Sequence, residues 1–309
     1  MNTFLNSGGS GERQLQGPKS RRQSVQVKDT AAAIAASTRS LQLVGNRKVT
    51  VTDAGLLSDL KSISDKAASI TYTDVKDSVT ALTGANKSLA TGKKVEISNA
   101  TVSADNYDTI VTSVGGSGEV KGKVVDDIAN LIDGHDLKGA TDVIANVTAD
   151  NQDISALTLD SEIKKIDLKG KKGVIFNIAN VRTGGVNKTI QDTTTGGTFK
   201  YRDTGSALSA DAATIALIKD QTVEVSGKVD MTDLKAISDS ATAAKTTATL
   251  LEDTATKLKD NKTLIAGTSG AKTVTLSSGN ATAAVFDEIL TEVKKTSGTF
   301  KAVVVDSVT

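Results

Sequence analysis

A short pattern recurs down this chain, and it restricts the possible folds more than any single residue does. Val25-Gln-Val-Lys-Asp-Thr-Ala-Ala-Ala-Ile-Ala reads as an alternating strand, a turn at an acid and then a helical run. Lys48-Val-Thr-Val-Thr-Asp, Ile70-Thr-Tyr-Thr-Asp and Lys94-Val-Glu-Ile-Ser-Asn repeat it, with Asp29, Asp53, Asp74 and Asn99 at equivalent places. The spacing is roughly 21 to 25 residues, within the range in which self-similarity signals stacked coils. The expected fold is α/β, a repeat solenoid of short strand–helix coils. Alternation, as in Val95 and Ile97 against Glu96 and Ser98, directs apolar side chains inward and polar ones outward. The acid after each strand is expected to cap the helix that follows it.

Composition supports thin layers. Aromatic residues make up 3% of the 309 residues and tryptophan is absent, so the core has to be built from small aliphatics. The 37 basic and 36 acidic residues balance to +1, which gives the body no electrostatic footprint for nucleic acid. There is no cysteine, so disulfides, thiolate nucleophiles and zinc–thiolate sites are excluded. No run approaches the roughly 18 consecutive apolar residues of a membrane span, and membrane insertion is not expected. The opening Met1-Asn-Thr-Phe-Leu lacks a basic leader followed by an apolar stretch, so no secretory signal is expected there.

Four segments follow from these patterns. Residues 1–24 form an extended basic Gly/Ser arm: Arg13, Lys19, Arg21 and Arg22 stand against one acid, Glu12, and Pro18 is the only proline. The arm is expected to act as an anchor, held through those four basic residues by a neighbouring subunit with an acidic groove. Residues 25–162 are a strand–helix solenoid. Residues 163–203 read as a β-rich insertion of successive strands, divided by Gly184-Gly185 and Gly196-Gly197, with no helix. Residues 204–309 resume the solenoid and end on Thr299-Phe-Lys-Ala-Val-Val-Val, where Val303, Val304 and Val305 form an uncovered strand expected to mediate self-association.

The succession of strand, Asp-Thr and Ala-rich helix, clearest in Val27-Lys-Asp-Thr-Ala-Ala-Ala-Ile-Ala-Ala-Ser and looser in Leu251-Glu-Asp-Thr-Ala-Thr-Lys-Leu and Arg202-Asp-Thr-Gly-Ser-Ala-Leu, resembles a known repeat family. That family occurs in cyanobacterial surface and exported proteins and in virion structural proteins of cyanophages. The resemblance implies a non-enzymatic structural protein of a virus particle: a tail fibre, knob or other appendage. Its implied partners are further copies of itself, other virion structural proteins and a host-surface glycan. The alternative it implies is an extracellular or cell-surface adhesin. Exported members carry glycine-rich calcium repeats, whereas Gly115-Gly-Ser-Gly-Glu-Val lacks the expected Asp.

Few residues suggest chemistry. His135 is the only histidine, so a two-histidine metal site is excluded, and it reads as an exposed loop residue. Asp126, Asp127, Asp133 and Asp136 lack the spacing of a calcium loop and read as caps and solvated surface. Gly267-Thr-Ser-Gly-Ala-Lys-Thr is similar to a phosphate loop but has alanines at 266 and 271 where glycine is needed. No catalytic, cofactor or metal residue is expected, and no enzyme activity.

Overall fold

The computed structural model describes residues 26–132, 134–242, 245–302 and 304. It is a mixed α/β chain whose sheets are mostly parallel, and none of them closes. Two compact units divide it, one ending at Lys76 and the other beginning at Asp77. The division falls inside the run 25–162, at a place marked by neither glycine nor proline.

In the first unit the order is β1 (Val27–Asp29), α1 (Ala31–Ala35), α2 (Thr38–Val44), β2 (Lys48–Val51), α3 (Leu57–Ser64) and β3 (Ser69–Thr71). β1, β2 and β3 lie side by side and parallel, with Val27 opposite Val49 and Val49 opposite Ile70. Val49 and Val51 are buried while Lys48 is exposed, as alternation requires. Against them α1 buries Ala31 and Ile34, and α3 buries Leu57, Leu60 and Ile63.

β4 (Asp74–Asp77) runs across the boundary. The second unit continues with α4 (Val79–Thr83), β5 (Lys94–Ile97), α5 (Ala104–Val114), β6 (Glu119–Lys121), β7 (Lys123–Asp127), β8 (Asp142–Asn146), β9 (Lys165–Asp167) and β10 (Val174–Phe176). Then come α6 (Ile178–Val181), β11 (Arg182–Thr183), β12 (Val186–Asn187), β13 (Thr189–Gln191), β14 (Phe199–Thr204), α7 (Gly205–Leu208), α8 (Ala212–Leu217), β15 (Val223–Val229) and α9 (Met231–Ala241). The last elements are β16 (Thr246–Asp253), α10 (Ala255–Asp260), α11 (Lys262–Gly267), β17 (Thr273–Leu276), α12 (Ala283–Lys294) and β18 (Thr299–Lys301).

Two larger parallel sheets organise this unit, one in the order β13-β9-β8-β7 and the other in the order β10-β14-β15-β16-β17-β18. In the second, Tyr201 lies opposite Val223 and Val274 opposite Phe300. Phe176, Phe199 and Tyr201 meet edge to face, with ring centroids 5.7 and 5.5 Å apart. The stretch 163–203 does contain a helix, the four-residue α6, in which Asn177 and Asn180 cap each other's backbone. Its strands β9 and β10 also pair with β8 and β14 as the coils on either side do.

These helices are too short to persist alone, because nucleating a helix costs more than a few turns return. Capping and packing must therefore hold them. The strand-end polar residues do so: Asp230, after β15, caps the following α9 as expected, accepting from the Thr232 and Asp233 amides at 2.8 Å, whereas others reach a helix earlier in the chain. Asp53 accepts from Ala31 N–H, the first amide of the helix one coil earlier, at 2.8 Å and 22 residues away. Asn99 does the same for Val79 at 2.8 Å, Asp126 for Ala104 at 2.9 Å, Asp203 for Ile178 at 3.0 Å and Asp253 for Met231 at 3.0 Å. The other oxygen of Asp126, Asp203 and Asp253 accepts from the next amide in its own chain. In α1, α4, α5, α7, α10 and α12 the N-cap is a hydroxyl, that of Thr30, Ser78, Ser103, Thr204, Thr254 or Thr282. Asp53 thus serves the helix before it, and α3, with Leu56 at its N-cap, has no side-chain cap. Asp74 stands at the start of β4 and is not a helix cap.

Candidate functional site

Of the residues singled out for partner binding, Arg13, Lys19, Arg21, Arg22, Val303 and Val305 lie outside the described residues. Val304 is 43% exposed and forms a parallel bridge to Ala281. Among the described residues, β18 has one strand neighbour, β17.

Charged side chains on the strands pair across coils. Lys165 meets Asp142 at 2.7 Å, Lys200 meets Glu224 at 2.6 Å and Arg202 meets Glu224 at 2.9 Å, while Lys228 pairs with Glu252. At the end of β9 the buried Asp167 accepts from the Thr193 hydroxyl at 2.7 Å, and from Thr193 and Lys169 amides at 3.1 Å each. Burial alone would raise its pKa, but these bonds and the Lys169 ammonium hold the carboxylate well below its usual range.

His135 is not a free loop residue. Its Nε2 lies 3.1 Å from Asp105 Oδ1 and its Nδ1 3.4 Å from the Ile132 carbonyl, while Asp108 accepts from Asp136 N–H at 3.1 Å. These bonds strap the loop after Gly134 to α5. The Asp105 hydrogen bond is the main reason the imidazole pKa is raised. Beneath the strap, Tyr107 donates to the Val120 carbonyl at 2.8 Å, beside a cavity of about 590 Å³. In the stretch that is similar to a phosphate loop, Lys272 Nζ turns back to donate to the carbonyls of Thr268, Ser269 and Gly270. Its burial pushes the amine down to about 8. Among the described residues, which leave out Asp133, there is no group of three His, Cys, Asp or Glu placed to hold a metal ion.

Another group of titratable side chains lies around the antiparallel hairpin of β11 and β12. Lys188, just past the hairpin, is 7% exposed. Its ammonium donates to the Thr183 hydroxyl at 3.0 Å and to the Asp160 backbone carbonyl at 3.4 Å. Asp160 is 2% exposed. Its carboxylate accepts from the Glu162 N–H at 3.0 Å, and the Glu162 side chain is held below its usual pKa first by Asp160 and then by the Ser161 hydroxyl. Desolvation lowers the Lys188 pKa against the pull of Asp160 and Glu162. A cavity of about 270 Å³ opens here, lined by Ser161, Lys164, Thr183, Asn187 and Lys188 among others. Sequence reasoning missed this group, since Asp160 and Lys188 are 28 residues apart and only the hairpin brings them together.

No protein-family model, curated protein or solved structure matches this chain. Among the described residues, no helix is long and apolar enough to cross a membrane.

Proposed function

We propose that the chain is a solenoid of strand–helix coils and a non-enzymatic structural component of a virus particle, in the manner of a phage tail fibre or other appendage. The observation that carries this reading is the ladder of strand-end residues that cap the helix of the preceding coil. Side chains that would otherwise be free for chemistry are used to bind coil to coil, which suits a molecule that transmits load. Lys, Arg and Glu side chains on the strands also pair between neighbouring strands. The resemblance of the Asp-Thr-Ala repeat to cyanophage virion proteins supplies the setting. In this reading the basic arm of 1–24 anchors the chain to other virion proteins, and the strand around Val304 joins copies to one another.

Antibodies raised against the chain, applied to particles from infected cultures and viewed by electron microscopy, test the proposal. Decoration of a particle appendage is the expected result. Labelling confined to the surface of uninfected cells would replace it with the adhesin reading, as would a melting temperature that falls when calcium is chelated.

A further inference from the structure

We infer that the cavity between the end of α5, the start of β6 and the loop 136–139 binds an uncharged sugar, a pyranose presenting neighbouring hydroxyl groups. Its volume of about 590 Å³ lies within the usual range of small-ligand pockets, roughly 300–1,000 Å³. Val111, Val114 and Val120 give it an aliphatic wall for the C–H face of a ring, and Thr112, Glu119 and Asp136 supply hydrogen-bonding groups. At Gly115 and Gly116, which also line it, a Cβ would meet nothing within 4 Å, so the turn between α5 and β6 leaves the entrance clear.

The polar groups are held in place by the protein itself. Asp136 N–H donates to Asp108 at 3.1 Å, and Asp136 Oδ1 accepts from Lys138 N–H at 3.2 Å. Glu119 Oε1 meets Lys121 Nζ at 3.3 Å. Asp136 Oδ2 and Glu119 Oε2 keep no protein partner among the described residues. After burial, Asp136 and Glu119 are the causes that raise the Tyr107 pKa, so both carboxylates lie near the one hydroxyl beside the cavity. A carboxylate can accept from two adjacent hydroxyls of a ring, and such charge-assisted bonds are stronger than neutral ones. Charge selects the class of ligand: Lys121 and Lys138 offset Glu119 and Asp136, which leaves no net charge to favour an ion.

The test is titration of the full chain, labelled with ¹⁵N, with glucose, galactose and mannose and with their methyl glycosides, against glycerol as a control. Saturable shifts confined to residues 111–120 and 136–139 are expected with at least one sugar. The affinity should be the same at low and high sodium chloride, because the ligand carries no charge to screen. A methyl glycoside that binds as tightly as its free sugar identifies a residue within a glycan as the ligand; binding of the free sugar alone identifies a free one. Glu119→Gln and Asp136→Asn should each weaken binding about tenfold, as a charge-assisted bond becomes a neutral one. Both positions are exposed and both amides keep an acceptor oxygen, so the urea midpoint should stay that of the parent. No saturation with any sugar, equal shifts with glycerol, an affinity that falls with salt, or affinities unchanged in both variants would overturn the assignment. The appendage reading does not depend on this site, and antibody decoration tests it separately.

Discussion

The residue on which this architecture most depends is the aspartate at a strand end. Asp253 is 5% exposed and accepts from Met231 N–H at 3.0 Å and Thr254 N–H at 2.7 Å. Asp253→Ala leaves two amides without acceptors and should cost about 2–4 kcal/mol in urea unfolding. Asp253→Asn should cost less, because a single side-chain oxygen already serves this position at Asn99. His135 gives a dependence on pH. Its folded pKa is raised, so its contribution is complete below its unfolded value of about 6.5 and is lost as pH rises through the folded one. Protection of the Asp136 amide from hydrogen exchange should fall between mildly acidic and alkaline pH, and His135→Gln should remove the fall. The effect should stay below about 1 kcal/mol, because Asp105 is 88% exposed. Period and strand alternation were legible in the sequence because they are local. Which helix each acid caps was not, since Asp53 adjoins α3 in the chain but reaches Ala31 in space.

At the scale of elements, helices of four to twelve residues survive by caps and by their inward stripes. The strap over α5 shows how closely these pieces fit. Gly139 has φ +88°, and a Cβ there would lie 2.6 Å from the Val120 carbonyl oxygen that Tyr107 also uses. Gly139→Ala should therefore destabilise the second unit by about 2 kcal/mol or more, through backbone strain together with overlap, as a lowered urea midpoint at unchanged slope. The glycine pairs at 184–185 and 196–197 were readable as turns, whereas α6 was not. Its four residues are too few to show a helical period, and what holds them is the reciprocal Asn177–Asn180 cap.

At the scale of the whole molecule, the strands of the mostly parallel sheets pair largely with strands near them in sequence, and among the described residues β18 ends its sheet. Val304→Asp places a charge at a half-exposed position bridged to Ala281. It should reduce self-association measured by light scattering while leaving the urea midpoint of the monomer within about 0.5 kcal/mol of the parent. Unchanged particle size would rule out an interface there. The carboxylate ladder also gives the array a polarity of fraying. When a coil melts on the C-terminal side of a neighbour, it withdraws the acid that holds the first amide of that neighbour's helix. When one melts on the N-terminal side, the next helix keeps its cap. Within each unit, then, opening should spread backwards along the chain more readily than forwards, like a zip whose teeth release in one direction.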